Sequence, residues 1–270
     1  MDFQRFLVTI EDHIAHVRIN RPEKANALDA TAWIELKQVF ETLDRTPDVR
    51  VIVLSGEGKR FCAGADQSFL TQGVLKANDE STGHAREVLY QDILDLQAQV
   101  SAAEKCRKPV LAAIHNACVG GAVDIVTACD MCYATEDAFF AIAEIDLGIV
   151  ADLGTMQRLP KILPKGVVRE MAYTGRRMGA AEAKERGLVN EVYADKEMMM
   201  AGVMEIARTI ASKSPLAIRG SKITLNHTQD HSIEEGLRHI AGWNAGMLFN
   251  HDLMEAFTAM MEKRKANFRD

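Results

Sequence analysis

Two runs built only from apolar residues, Val51-Ile52-Val53-Leu54 and Val110-Leu111-Ala112-Ala113-Ile114, constrain the fold of this chain most. A strand that is apolar on both sides needs cover on both faces, the condition of a sheet clothed in helices. The flanking sequence supplies those helices. Trp33, Leu36, Phe40 and Leu43 recur at intervals of three and four behind a candidate N-cap at Asp29, and Leu89, Ile93, Leu96 and Val100 repeat the pattern before Lys108-Pro109. Strand-like segments at 6–10 and 14–19, separated by Glu11-Asp12-His13, predict a hairpin. A helix over 122–129 behind Gly120-Gly121 and a strand over 138–143 continue the series. Strands alternating with helices argue for the α/β class, each return being a right-handed crossover.

From about Pro160 the strand pattern almost vanishes. Helices are expected at 166–173, at 180–186 ended by Gly187, at 196–212, from Pro215, at 233–247 and at 252–265. This shift places a soft boundary near residue 200, between a core at 1–200 and a helical region at 201–270 that packs on a neighbour or folds over the core. The stretch Ile233 to Lys265 is rich in Met, Leu and Phe and holds Trp243, yet follows a core that already looks complete, which suggests an assembly element.

The net charge of −6 argues against a nucleic-acid partner. No apolar stretch reaches membrane-spanning length. Neither a secretory start, an Arg/Ser-rich presequence nor a peroxisomal C-terminal tripeptide is evident, so a cytoplasmic location is expected. Five scattered cysteines read as reduced thiols, and the single C-x-x-C, Cys129 to Cys132, as buried thiols without metal or redox work. His227 and His231 read as a surface pair, and the methionines as adaptable packing. Lys263, Arg264 and Lys265 read as a solvated helix end.

The chemistry concentrates on two glycine-containing segments and three acids. Phe61-Cys62-Ala63-Gly64-Ala65-Asp66 and Cys118-Val119-Gly120-Gly121-Ala122-Val123-Asp124 are built from small residues that let a ligand approach the backbone. Neither fits a dinucleotide or phosphate-loop pattern. Taken singly, each is equally an ordinary turn. Asp124, Glu144 and Asp152 likewise each have a structural reading, as a helix-dipole partner, an ion pair and a helix cap. A glycine pair opening an apolar helix beside carboxylates also has the outline of an enolate-stabilising site.

Four blocks together resemble the crotonase (enoyl-CoA hydratase/isomerase) superfamily in order and spacing. They are Arg21-Pro22-Glu23-Lys24-Ala25-Asn26-Ala27-Leu28, the 61–66 segment, Ala112 through Gly121, and Gly154-Thr155-Met156-Gln157-Arg158-Leu159-Pro160. The end, Glu262-Lys263-Arg264-Lys265-Ala266-Asn267-Phe268, is similar to that of many hydratase-like members. The resemblance implies a spiral of ββα turns with a C-terminal helical trimerisation region, assembled as a homotrimer or homohexamer, and an acyl-CoA thioester ligand without metal or redox cofactor. By motif position it implies an oxyanion hole from the N–H groups of Ala65 and Gly121, with Lys24, Ala25, Ala27, Ala63, Gly64, Asp66 and Gln67 along the substrate and CoA path. The segment 67–83 is expected to border the acyl pocket.

The acids separate the subfamilies. Enoyl-CoA hydratases carry two glutamates and then a glycine where this chain has Asp124, Glu144 and Asp152. The set, and the run Asp146-Leu147-Gly148-Ile149-Val150-Ala151-Asp152-Leu153-Gly154-Thr155, resemble the Δ3,5-Δ2,4-dienoyl-CoA isomerases, in which the same three acids recur at these intervals; the resemblance implies catalytic roles for Asp124, Glu144 and Asp152. Hydration of a 2-enoyl-CoA and a simple Δ3-Δ2 shift remain alternatives, as does a scaffold or RNA-binding relative, against which the retained acids and the charge weigh.

Overall fold

The computed structural model describes residues 2–69, 71 and 83–269. The expectation for 67–83 therefore falls largely outside the described residues. The chain opens with the hairpin β1 (Phe6–Glu11) and β2 (Ile14–Ile19), whose two turn residues, Asp12 and His13, both have positive φ. Such a two-residue loop matches the natural twist of paired strands. Helix α1 (Ala30–Arg45) follows, capped by Asp29, which accepts from Ala32 N at 2.9 Å. Strand β3 (Val51–Gly56) is buried throughout, helix α2 (Gly83–Val100) leads through one further turn, Ala102–Lys105, and β4 (Val110–Ile114) is again buried throughout.

Next come β5 (Ala117–Val119), α3 (Gly121–Thr127), β6 (Met131–Thr135) and β7 (Phe139–Ala141), then a 3-10 turn, Glu144–Leu147. Helices α4 (Thr155–Ile162) and α5 (Lys165–Thr174), strand β8 (Met178–Gly179), α6 (Ala180–Arg186) and β9 (Glu191–Tyr193) precede the tail. The tail is α7 (Lys196–Ala211), α8 (Pro215–Thr228), α9 (Ile233–Met247) and α10 (His251–Glu262). The last helix stops three residues before the expected 265, at Lys263 in the left-handed conformation.

The main sheet has the order β1-β2-β3-β4-β6-β9, parallel after the opening hairpin, and a small sheet β5-β7-β8 stands beside it. One face of the main sheet packs with Trp33, Leu36 and Phe40 of α1 in the larger core. On the other, Val51, Val53, Leu111, Ala113 and Tyr133 meet Met199, Val203, Ala207 and Ala211 of α7. The helix covering this second face thus spans position 200, the expected boundary. Helices α9 and α10 and the link between them are different in kind, presenting Ile233, Leu237, Phe249, Met254 and Met261 to the exterior, Phe249 of the link at 90% exposure. Among the described residues no helix is long and apolar enough to cross a membrane.

Candidate active site

Strands β3 and β5 deliver the two glycine-containing segments side by side. Cys62 and Cys118 form a parallel bridge: Cys62 N donates to Ala117 O at 3.0 Å, and Val119 N to Cys62 O at 3.2 Å. Leu28 and Ala65 form a second bridge. Gly64 has φ +88, and a Cβ there would lie 2.5 Å from Val119 O and 3.4 Å from Gly121 N. The two turns are therefore in contact only because position 64 is glycine. A Cβ on Gly121 would meet the Trp33 ring at 2.8 Å and Ala65 N at 3.9 Å. No acceptor among the described residues takes the N–H of Ala65 or of Gly121. Two free donors thus lie close together.

These donors line a cavity of about 300 Å³ together with Asp124, Glu144 and Asp152. Its remaining wall is mostly apolar, including Trp33, Phe69, Leu89, Ile93 and Leu96. Asp124 comes from the first turn of α3, Glu144 from the start of the 3-10 turn after β7, and Asp152 from the segment leading into α4. A Cβ on Gly120 would sit 3.1 Å from Glu144 Oε1, so this glycine, with φ +56, leaves the space that the carboxyl occupies. A larger cavity of about 590 Å³ near α4 and α8 holds the Lys222–Asp130 pair and none of the three acids.

The three carboxyls differ in surroundings. Asp124 is 1% exposed, and Thr155 N donates to its Oδ1 at 2.6 Å. Burial pushes Asp124 up to about 6 against that bond, with Asp152 raising it further and Arg158 lowering it. Burial pushes Glu144 up to about 7, aided by the charges of Asp124 and Asp152. Glu144 Oε2 is buried with no protein partner. Asp152 is exposed at the edge of the cavity, and partial burial raises it above the ordinary carboxylate value. Three carboxyls in one mostly apolar cavity, all raised above the ordinary carboxylate value by burial, are equipped to move protons on carbon at neutral pH.

Of the residues expected along the substrate and CoA path, Ala63 and Gly64 line the cavity, while Lys24, Ala25, Ala27, Asp66 and Gln67 lie outside its wall. Lys24 is exposed at the end of a 3-10 turn, Pro22–Lys24, and Gln67 is exposed as well. Ala25 O accepts from Ala63 N at 3.1 Å and Ala27 O from Arg21 Nη1 at 2.9 Å. The Asp66 carboxylate is taken up by Ser68 and Arg21 and held down to about 2 by their hydrogen bonds. Asn26 escaped the sequence reading as a functional residue. Fully buried with φ +56, it donates to the carbonyls of Glu57, Arg60 and Phe61 and accepts from Arg21 N, clamping the loops that carry the first turn. Trp33 and Thr155 were also missed in this role, because only the fold brings them to the cavity.

The sequence profile of the enoyl-CoA hydratase/isomerase family matches residues 9–270. The chain belongs to this family. It is 47% identical to the peroxisomal Delta(3,5)-Delta(2,4)-dienoyl-CoA isomerase of Arabidopsis thaliana over 96% of this chain and 93% of that protein. With the mitochondrial Delta(3,5)-Delta(2,4)-dienoyl-CoA isomerase of Rattus norvegicus it shares 41% identity over 96% of this chain and 79% of that one. Among solved structures, an enoyl-CoA hydratase from Bacillus anthracis superposes with a TM-score of 0.87 at 30% identity, covering 98% of this chain and 99% of the other. The crotonase fold expected of the sequence is the fold of this enoyl-CoA hydratase/isomerase family member.

Proposed function

We propose that this chain is an isomerase that converts a 3,5-dienoyl-CoA to the conjugated 2,4-dienoyl-CoA. The observation that carries the reading is the convergence of Asp124, Glu144 and Asp152 on one apolar cavity beside the N–H groups of Ala65 and Gly121. The likeness to proteins named for this activity supports it.

The reaction removes a proton from C2, shifts the C3–C4 and C5–C6 double bonds to C2–C3 and C4–C5, and returns a proton at C6. Substrate and product have the same composition and oxidation level, so the chemistry requires no oxidant, reductant or metal. Ala65 and Gly121 donate to the thioester oxygen as negative charge gathers there, a stabilisation worth several kcal/mol in such sites. Glu144, with Oε2 lacking a protein partner and the carboxyl titrating near neutrality, takes the C2 proton; Asp152, at the exposed edge, gives one to C6, and the pair is reset as Glu144 releases its proton to solvent and Asp152 takes one up. Asp124 stays beneath them as a fixed charge held by Thr155 N. Replacing glutamate by aspartate at 124 withdraws a carboxyl by about 1.5 Å, which argues against the pair of carboxylates that hydration of a single double bond requires.

The exposed apolar side chains of α9 and α10 support assembly as a trimer or hexamer, and sedimentation of the intact protein tests this. The expected cytoplasmic location rests on the sequence; the relatives named above are peroxisomal and mitochondrial proteins. The test of the activity is ultraviolet absorbance with 3,5-dienoyl-, 3-enoyl- and 2-enoyl-CoA offered separately. Turnover of the first is expected to exceed the others, and preferred hydration of the 2-enoyl thioester would overturn the reading.

A further inference from the structure

The stretch Asp152-Leu153-Gly154-Thr155 begins with one acid and ends with the N–H that holds another, yet its path is set by a residue outside the cavity wall. Arg158, in the first turn of α4, has a guanidinium that is nearly buried, its side chain 14% exposed. Nη2 donates to Ser101 Oγ at 2.9 Å and to Glu104 Oε2 at 2.7 Å, Nε donates to the same carboxylate at 3.2 Å, and Nη1 reaches Leu153 O at 3.5 Å. A Cβ on Gly154 would lie 1.8 Å from Arg158 Nη1, and the φ of +132 at that glycine excludes an ordinary side chain. The guanidinium thus occupies the space beside Gly154 that a side chain would take, with Nη1 foremost, ahead of Cζ at 3.1 Å and Nη2 at 3.8 Å from the same point. Its anchor is braced in turn, because Glu104 O accepts from Asn226 Nδ2 of α8 at 3.0 Å. Gln97 Nε2 of α2 pins the near end of the stretch through Asp152 O at 2.7 Å.

We propose that Arg158 is a positioning residue for the acid cluster: by clamping Leu153-Gly154 against the turn at Ser101 and Glu104, it fixes the spacing between Asp152 and Asp124. The groups that face Asp124 are Glu144, Asp152, the buried thiol of Cys118 and Arg158, and only Arg158 among these four is cationic. Its charge favours the ionised form of Asp124, which leaves the exchangeable proton to the other two acids. The consequence for turnover rests on the isomerase reading, whereas the clamp rests on the geometry alone.

Two variants separate charge from shape. Arg158→Lys keeps the charge but cannot reach Ser101, Glu104 and Leu153 together; Arg158→Met loses both. With 3,5-dienoyl-CoA, Arg158→Lys is expected to lower kcat by about 10- to 100-fold, the range a displacement of about 1 Å produces, with KM changed less than about threefold. Carboxyl carbon NMR of the ligand-free enzyme reports the clamp without any turnover: the Asp124 signal should titrate at higher pH in Arg158→Met than in the wild type, and shift position in Arg158→Lys. If Arg158→Met does not fold, Glu104→Gln releases the anchor instead and should reproduce the Arg158→Lys change in weaker form. Folded variants with the wild-type Asp124 signal and kcat, or with a loss confined to KM, would overturn the proposal. A wild type that does not turn over 3,5-dienoyl-CoA would overturn the isomerase reading, and the NMR titration would still decide the clamp.

Discussion

On one side of the 61–66 turn, Asp66 accepts from Ser68 and Arg21, and these bonds hold its carboxyl down to about 2. On the other side, Glu144 has an oxygen with no protein partner in an apolar cavity, and burial pushes it up to about 7. The same functional group is a fastener in the first place and a proton carrier in the second. What distinguishes them is the supply of donors: a carboxylate saturated with N–H and O–H partners is fixed as an anion, whereas one starved of partners in a dry pocket can change charge near neutrality.

The largest effect expected from breaking this contrast is at Glu144. Glu144→Gln should lower turnover of 3,5-dienoyl-CoA by roughly 10³ to 10⁴, toward the upper end of one general-base contribution, and abolish exchange of the C2 hydrogen in heavy water. Asp152→Asn should lower turnover by roughly 10² to 10⁴ while C2 exchange continues. Exchange lost in the Asp152 variant and kept in the Glu144 variant would show the two roles reversed.

The pH profile comes next in size. Glu144 acts as base only when ionised, so kcat/KM should fall about tenfold per pH unit as pH drops below about 7. A profile flat from pH 5 to 8 would remove Glu144 from the base role.

Stability should show the smallest effects, with opposite signs in the two regions. Burial raises Glu144 from 4.5 to about 7, so its folded form prefers the proton, and its contribution is lost as pH rises across that interval. Glu144→Gln should therefore gain on the wild type between pH 4.5 and 7 and hold the gain above, on the order of 3 kcal/mol at most by denaturant titration. Asp66 is lowered from 3.8 to about 2, so its contribution is present above the higher value and lost as pH falls through the lower one. Asp66→Asn should lower Tm at neutral pH, with the difference from wild type shrinking below pH 4.

The parts of the fold that sequence made legible are those in which a local signal and the tertiary demand coincide. The apolar runs of β3 and β4, the Asp29 cap of α1 and the Asp12-His13 turn each carry their reason in adjacent residues. Strand β6 does not: Met131-Cys132-Tyr133-Ala134-Thr135 is short, and its start is set by Asp130, whose carboxylate binds Val110 N and Lys222 from distant segments. Strand β9, three residues at the sheet edge, is likewise a product of its neighbour, pairing with β6 in a region whose local pattern is helical. The three acids stood out through spacing within motifs. Trp33 and Thr155 did not, since their contacts to the site cross 88 and 31 positions of chain, to Gly121 and Asp124, and Arg158 did not because its anchors, Ser101 and Glu104, lie 57 and 54 positions away.

Helix α7, which covers the second face of the sheet, sets the order in which this protein can mature on the ribosome. A nascent chain that has emerged only as far as β6 presents Val51, Val53, Leu111 and Ala113 uncovered and an unpaired strand edge where β9 belongs. Bare apolar faces and open edges are what intermolecular aggregation and chaperones recognise. The α/β layer therefore cannot close until Ala211 is free of the exit tunnel, so codon-level pausing or a premature stop within 190–211 should yield insoluble chains instead of a stable shortened protein.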